Sequence, residues 1–119
     1  FSSSVAIVTG HEDPTKTNSS VQWSLLASSV DTIVILMGVA TLDKISRVLI
    51  KGGLSPKTPV AAIEWGTTSR QKTTLFDLDA AAQGNLRKKL NPPGVIIIGK
   101  VVSLAKELRW FSKDNFSVV

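Results

Sequence analysis

Three short apolar runs in this chain each end at a glycine, and that pattern limits the fold more than any other feature. Val5-Ala6-Ile7-Val8 leads to Thr9-Gly10-His11, Ile33-Val34-Ile35-Leu36-Met37 ends at Gly38, and Val60-Ala61-Ala62-Ile63-Glu64-Trp65 ends at Gly66. Short continuous runs rich in β-branched residues fit buried strands. Where strands of an open α/β sheet end, backbone polar groups leave the ladder and become free to meet a ligand. A glycine at that point removes the Cβ that would hold the ligand away. Three such exits in 119 residues exceed what a core requires, and two of them read as a ligand cleft.

The segments between these runs are helix-like. Gln22 to Ala27 places Trp23, Leu26 and Ala27 on one side of a short helix. The clearest helix has Thr41 as N-cap, Asp43 in its first turn, and an apolar stripe of Leu42, Ile45, Val48 and Leu49. Lys51 and Gly52-Gly53 supply its stop signals. Gln71 to Leu78 can extend as a fourth strand, and Asp79 can cap a helix reaching about Leu90, which Asn91-Pro92-Pro93-Gly94 stops. Val95 to Ile98 makes a fifth strand, and Val101 to Glu107 a last short helix before Trp110-Phe111. The polar stretch Glu12 to Ser20 reads as a surface loop, and the tail Ser112 to Val119 has no periodicity. Alternating strands and helices predict an α/β fold: a mixed, mainly parallel five-stranded sheet with helices on both faces.

Composition narrows the chemistry. One domain of this length can bury roughly two-thirds of its unfolded surface, and 43% apolar with 19% charged residues fits a soluble globular protein. The longest apolar run, Ile33 to Ala40, falls far short of the ~18 residues of a membrane span. No signal-peptide pattern opens the chain, and neither a membrane nor a nucleic acid is expected as a partner. The basic run Arg87-Lys88-Lys89 lacks interleaved aromatics and reads as a solvated helix end, where cations favour the negative pole of the dipole. Zero cysteines remove disulfides, thiolate metal sites and a Cys nucleophile, and one histidine cannot build a His-based metal cluster. No metal is expected, and a cytoplasmic location fits.

Taken alone, the candidate site residues have plain readings. Met37 at a strand end reads as core filler, and Gly66 as a turn residue. Thr67 and Thr68 can satisfy local backbone groups. Alternation puts Trp65 in the core and Glu64 partly in solvent. His11 is a solitary side chain with no Gly-x-Ser-x-Gly elbow elsewhere, so no Ser-His-Asp set exists. Of Asp77 and Asp79, capping explains at least one. Trp110-Phe111 reads as a seal on the core.

A resemblance changes several of these readings. Val8-Thr9-Gly10-His11-Glu12, Leu36-Met37-Gly38-Val39, Thr58-Pro59-Val60-Ala61 and Trp65-Gly66-Thr67-Thr68 stand in an order similar to the second half of a tetrapyrrole methylase. Val95 to Val102 followed by Leu108-Arg109-Trp110-Phe111 resembles the close of that family's C-terminal domain. The family's glycine-rich Gly-x-Gly-x-Gly-Asp segment has no match. The resemblance therefore implies that residues 1–119 are the C-terminal domain, with an N-terminal glycine-rich domain as missing partner. It implies S-adenosyl-L-methionine as cofactor, held by Met37, Gly38, Gly66 and Thr67, and a tetrapyrrole substrate met by His11. The branch it points to methylates ring carbons of uroporphyrinogen III on the route to sirohaem and cobalamin-type cofactors, as a homodimer. No catalytic acid or base is assigned to this chain, which alone is expected to be inactive. The alternatives are methylation of a precorrin or cobalt-precorrin, and a non-catalytic α/β ligand-binding domain.

Overall fold

Alternation along the central strands decides how the layers of this protein stack. The computed structural model describes residues 2–15, 20–86, 89–92, 94–108 and 116–119. In chain order these form β1 (Val5–Thr9), α1 (Trp23–Ser29), β2 (Thr32–Leu36), α2 (Leu42–Lys51), β3 (Pro59–Glu64), β4 (Lys72–Asp77), α3 (Leu78–Ala82), β5 (Gly94–Ile98), a 3-10 turn (Lys100–Leu104), α4 (Ala105–Leu108) and β6 (Phe116–Val118). Cross-strand register lines up Ile33, Ile98, Val60 and Phe76 in one row, and Ile35, Ile96 and Ala62 in the next. All seven are buried against α1, α2 and α3, chiefly by Trp23, Leu42, Ile45, Leu49 and Leu78. The residues between them point the other way. Ala61 and Leu75, with Ile97, pack against Val102 and Ala105 of the last helical segments. The sheet is thus covered from both sides, as the strand pattern predicts.

Two features of the sheet differ from expectation. It has six strands, in the order β1-β2-β5-β3-β4-β6, because Phe116–Val118 in the supposedly irregular tail pairs with β4. It is mixed, yet only β1–β2 and β4–β6 pair in parallel, while β2–β5, β3–β5 and β3–β4 are antiparallel. The short link from β3 to β4 makes a hairpin, which forces opposite directions. β5 then starts at the rim where β2 and β3 end, with Gly94 opposite Glu64, and must run against both. Strand direction is a property of the connections, which local apolar patterning does not encode.

The helices follow their capping chemistry. Asp77, one residue before α3, accepts a hydrogen bond from the Ala80 amide at 2.8 Å and is the cap, with Asp79 in the first turn. That helix stops at Ala82 rather than near Leu90, since the chain turns at Gly84 with φ +81°. Thr41 stands at the N-cap of α2, but its hydroxyl donates to the Gly10 carbonyl instead of the helix. Gly52 ends α2 as expected, its amide bonded to Val48. Among the described residues no helix is long and apolar enough to cross a membrane. Arg87-Lys88 and Trp110-Phe111 lie outside the described residues.

Candidate functional site

At one rim of the sheet three chain ends converge: β2 leaves at Leu36, β3 leaves at Glu64, and β5 enters at Gly94 between them, with Leu36 opposite Val95. They enclose a cleft of about 1200 Å³. Leu36, Met37, Val39 and Ala40 line it from the β2 exit, and Ile63, Trp65, Gly66, Thr67 and Thr68 from the β3 exit. Leu90, Pro92, Gly94 and Val95 complete it at the β5 entry. Its volume is at or above the ~300–1,000 Å³ of a drug-sized ligand site.

The backbone at both exits is strained. Met37, Trp65 and Thr67 have φ of 56°, 53° and 65°. A non-glycine residue in the left-handed region costs on the order of 1–3 kcal/mol and survives only where its surroundings hold it. Among the described residues these three are the non-glycine ones with this backbone, and all of them line the same cleft. The turn also breaks strand alternation. Glu64, the last strand residue, is buried, while Trp65 swings out and is 37% exposed. The expected order, with Trp65 inside and Glu64 outside, is reversed for that reason. Met37 is 60% exposed and is not core filler.

Gly66 has an ordinary φ, and a Cβ built there would touch only the Ile63 Cγ2, at 3.4 Å. Space beside it opens onto the cleft. Gly38 is different: it is buried, lies outside the lining, and a Cβ on it would stand 2.5 Å from the Ile35 Cγ2. Its missing side chain leaves room for Ile35.

The 65–68 loop is cross-braced. The Thr67 hydroxyl donates to the Gly66 carbonyl at 2.6 Å, and the Thr68 hydroxyl to the Trp65 carbonyl at 2.7 Å. The Thr67 amide donates to the Gln71 Oε1 at 2.8 Å. Arg70 places its guanidinium 4.0 Å from the centre of the Trp65 ring, within cation–π range. Across the cleft, buried Glu64 accepts a hydrogen bond from the Asn91 amide at 3.3 Å, between the lining residues Leu90 and Pro92. Gln71, Arg70 and the 90–92 wall escaped the sequence reading. Nothing in periodicity marks a residue whose task is to hold a loop amide.

His11 is exposed and is not among the cleft-lining residues. It follows Gly10, whose amide donates to the Leu36 carbonyl at 2.7 Å, so it sits at the same end of the sheet one strand over from Met37. Nearby, Asp13 accepts from the Thr15 hydroxyl and amide and from Lys44 at 3.1 Å, and these donors hold its pKa down at about 2.

Among the described residues, none of the thirteen that line the cleft is ionisable. The described residues also contain no cluster of three His, Cys, Asp or Glu able to hold a metal. The described lining therefore offers shape, apolar surface and main-chain polar groups, with no side-chain acid or base among them.

Comparison with known proteins gives a consistent set of relatives. The model of the tetrapyrrole (corrin/porphyrin) methylases matches residues 1–82. The chain is similar to a uroporphyrinogen-III C-methyltransferase of Bacillus subtilis (strain 168), 36% identical over 94% of this chain and 43% of the relative. It is similar to an S-adenosyl-L-methionine-dependent uroporphyrinogen III methyltransferase of Methanosarcina barkeri, 44% identical over 86% of this chain and 40% of the relative. Among solved structures, the uroporphyrin-III C-methyl transferase of Thermus thermophilus complexed with S-adenyl homocysteine matches with a TM-score of 0.71 at 27% identity. That match covers 84% of this chain and 43% of the other. A cobalt precorrin-4 methyltransferase shares the fold, with a TM-score of 0.66 at 19% identity. The chain spans less than half the length of these curated relatives.

Proposed function

The chain belongs to the tetrapyrrole (corrin/porphyrin) methylase family, and on that footing we propose that it forms one wall of the S-adenosyl-L-methionine cleft in a C-methyltransferase acting on uroporphyrinogen III. Residues 1–119 are the C-terminal domain in this reading, paired in the intact cytoplasmic enzyme with a glycine-rich N-terminal domain and assembled as a homodimer. The observation that carries the proposal is the convergence of Met37, Trp65 and Thr67, each in a left-handed backbone, on one cleft that also includes Gly66. Strain of this kind gathers at ligand clamps. The names of the two curated relatives favour uroporphyrinogen III as substrate over a cobalt-precorrin, since the cobalt-precorrin likeness is one of fold only.

The residues present fit the cofactor. Leu36, Val39, Ile63 and Val95 give apolar walls for a flat ring. The exposed thioether of Met37 is polarisable, which suits contact with an adenine face or a sulfonium. Gly66 leaves its main chain open to close approach. When bound, the cofactor supplies an electrophilic methyl group for in-line displacement. What this chain contributes is position: the two exits fix the donor against the walls, which counts because alignment alone can remove several kcal/mol from such a barrier. With no ionisable residue among the described lining, proton removal is assigned to groups beyond those residues. Exposed His11 stands on the same rim and is proposed to meet a substrate carboxylate there.

Two measurements on the full-length protein test this. Titration calorimetry with S-adenosylhomocysteine should give saturable binding. Incubation with S-adenosyl-L-methionine and uroporphyrinogen III should yield a methylated tetrapyrrole by mass spectrometry. Binding without methylation would favour a non-catalytic ligand-binding domain, and methylation of a precorrin alone would move the substrate.

A further inference from the structure

Thr67 is the least comfortable residue in the cleft, because it is β-branched and sits at φ 65°, where such a side chain is a genuine outlier. Its conformation needs something to hold it. The Thr67 hydroxyl bond runs within the loop itself and moves with it, and the Thr68 hydroxyl, which donates within the loop, accepts from the nearby Arg70 amide at 3.1 Å. The Thr67 amide is tied by a hydrogen bond to a side chain outside the 65–68 segment, the Oε1 of Gln71 at 2.8 Å. Gln71 is only 7% exposed, and its own amide donates to the Thr68 carbonyl at 3.1 Å. It therefore grips the loop at two successive residues just before β4 begins.

We infer that Gln71 is a positioning residue, whose buried side-chain carbonyl keeps Thr67 left-handed and so presents Trp65, Gly66 and Thr67 to the cleft. A buried glutamine could merely satisfy itself on whatever amide is near. Two facts favour the stronger role: the bonded residue carries an unfavourable φ, and its neighbours on both sides line the cleft. If the acceptor is removed, Thr67 loses its external tie and relaxes toward φ below zero. That rotation moves the loop out of the arrangement the ligand meets. The effect on ligand rests on the cofactor reading above, whereas the clamp itself does not.

The test uses Gln71→Met, which keeps length and apolar volume but lacks a strong acceptor, and Gln71→Glu, which keeps the acceptor. In full-length protein, Gln71→Met should lower S-adenosylhomocysteine affinity roughly 10- to 100-fold, in line with an unmade buried hydrogen bond, and Gln71→Glu should recover most of it. In a Thr67→Gly background the penalty of Gln71→Met should shrink to within about threefold, because glycine adopts positive φ without a clamp. A merely structural glutamine would give the same penalty in both backgrounds, together with the same drop in melting temperature, and that result would overturn the inference. So would wild-type affinity in Gln71→Met. Hydrogen exchange at the Thr67 amide reads the clamp with no ligand present: about tenfold or more faster exchange in Gln71→Met supports it, and unchanged exchange rejects it. Failure of the wild type to bind the cofactor would sink the functional proposal, while the exchange result would still decide for or against Gln71.

Discussion

A Cβ built on Gly10 would stand 2.9 Å from the Cα of Gly38, so the first two strand exits touch backbone to backbone. The Gly10 amide bonds the Leu36 carbonyl and the Thr41 hydroxyl reaches the Gly10 carbonyl, locking the contact from two sides. These glycines are spent on packing one exit against the other. The contact fixes where Met37, one residue before Gly38, turns out of the sheet.

Replacing Gly10 with Ala should therefore destabilise the fold. The new methyl would lie 2.7 Å from the Ile35 Cγ2 and 3.0 Å from the Ile45 Cδ1, with backbone on its third side. Overpacking of this kind costs about 1–3 kcal/mol. Urea unfolding measures it, and an unchanged midpoint would show that the exits can separate freely.

Met37→Ala should leave stability almost intact. A buried methionine costs ~2–5 kcal/mol on truncation, but at 60% exposure this one should cost under about 1 kcal/mol. Cofactor affinity should fall severalfold at the same time. Melting temperature and calorimetry on one preparation separate the two, and a large melting shift with intact affinity would remove Met37 from the site.

Gly66→Ala is the cleaner probe of the cleft. Its φ is ordinary and a methyl has room beside Ile63, so the folded state should hold or gain by a few tenths of a kcal/mol. Any loss of S-adenosylhomocysteine binding then comes from the methyl meeting the ligand. Equal affinity in the mutant would place the ligand elsewhere in the cleft.

Asp13 should leave a mark on acid stability. Bonds from the Thr15 hydroxyl, the Thr15 amide and Lys44 lower its pKa from 3.8 to about 2 in the folded protein. The unfolded chain takes up the proton first, so this group's contribution is present above about pH 4 and fades as pH falls through about 2. The melting-temperature gap between wild type and Asp13→Ala should be constant near neutrality and close over that window. A gap that stays constant down to about pH 2 would mean the turn does not depend on the charge.

Part of the cleft was legible in the sequence because glycine at a strand exit is a local signal with a direct steric meaning, while Met37 and Thr67 entered only through the family resemblance. Met37, Gly66 and Thr67 line one cavity, and Leu42, Ile45 and Leu49 of the α2 stripe are buried as their spacing predicts, with Val48 partly so. Trp65 was misread because alternation holds only while φ stays extended, and no pattern warns that a tryptophan will turn left-handed. β6 was missed because a short strand with no periodicity is recruited by β4, more than thirty-five residues away in sequence. Gly38 looked like an opening toward ligand, yet Ile35 fills the place of its side chain. Which neighbour occupies an empty position is decided in three dimensions.

The place of β5 bears on how this protein comes to be made. Ile33 pairs with Ile98, and Val60 with Ile98 on the other side, so the strand that joins the two halves of the sheet is translated after both. Until residues 94–98 leave the ribosome, β2 and the β3–β4 hairpin each carry an unpaired apolar edge. Such edges recruit other chains, and long-range pairings of this sort close slowly. A nascent chain stalled before Gly94 would hold nearly every core residue and still have no continuous sheet, its two halves left with open edges until β5 arrives.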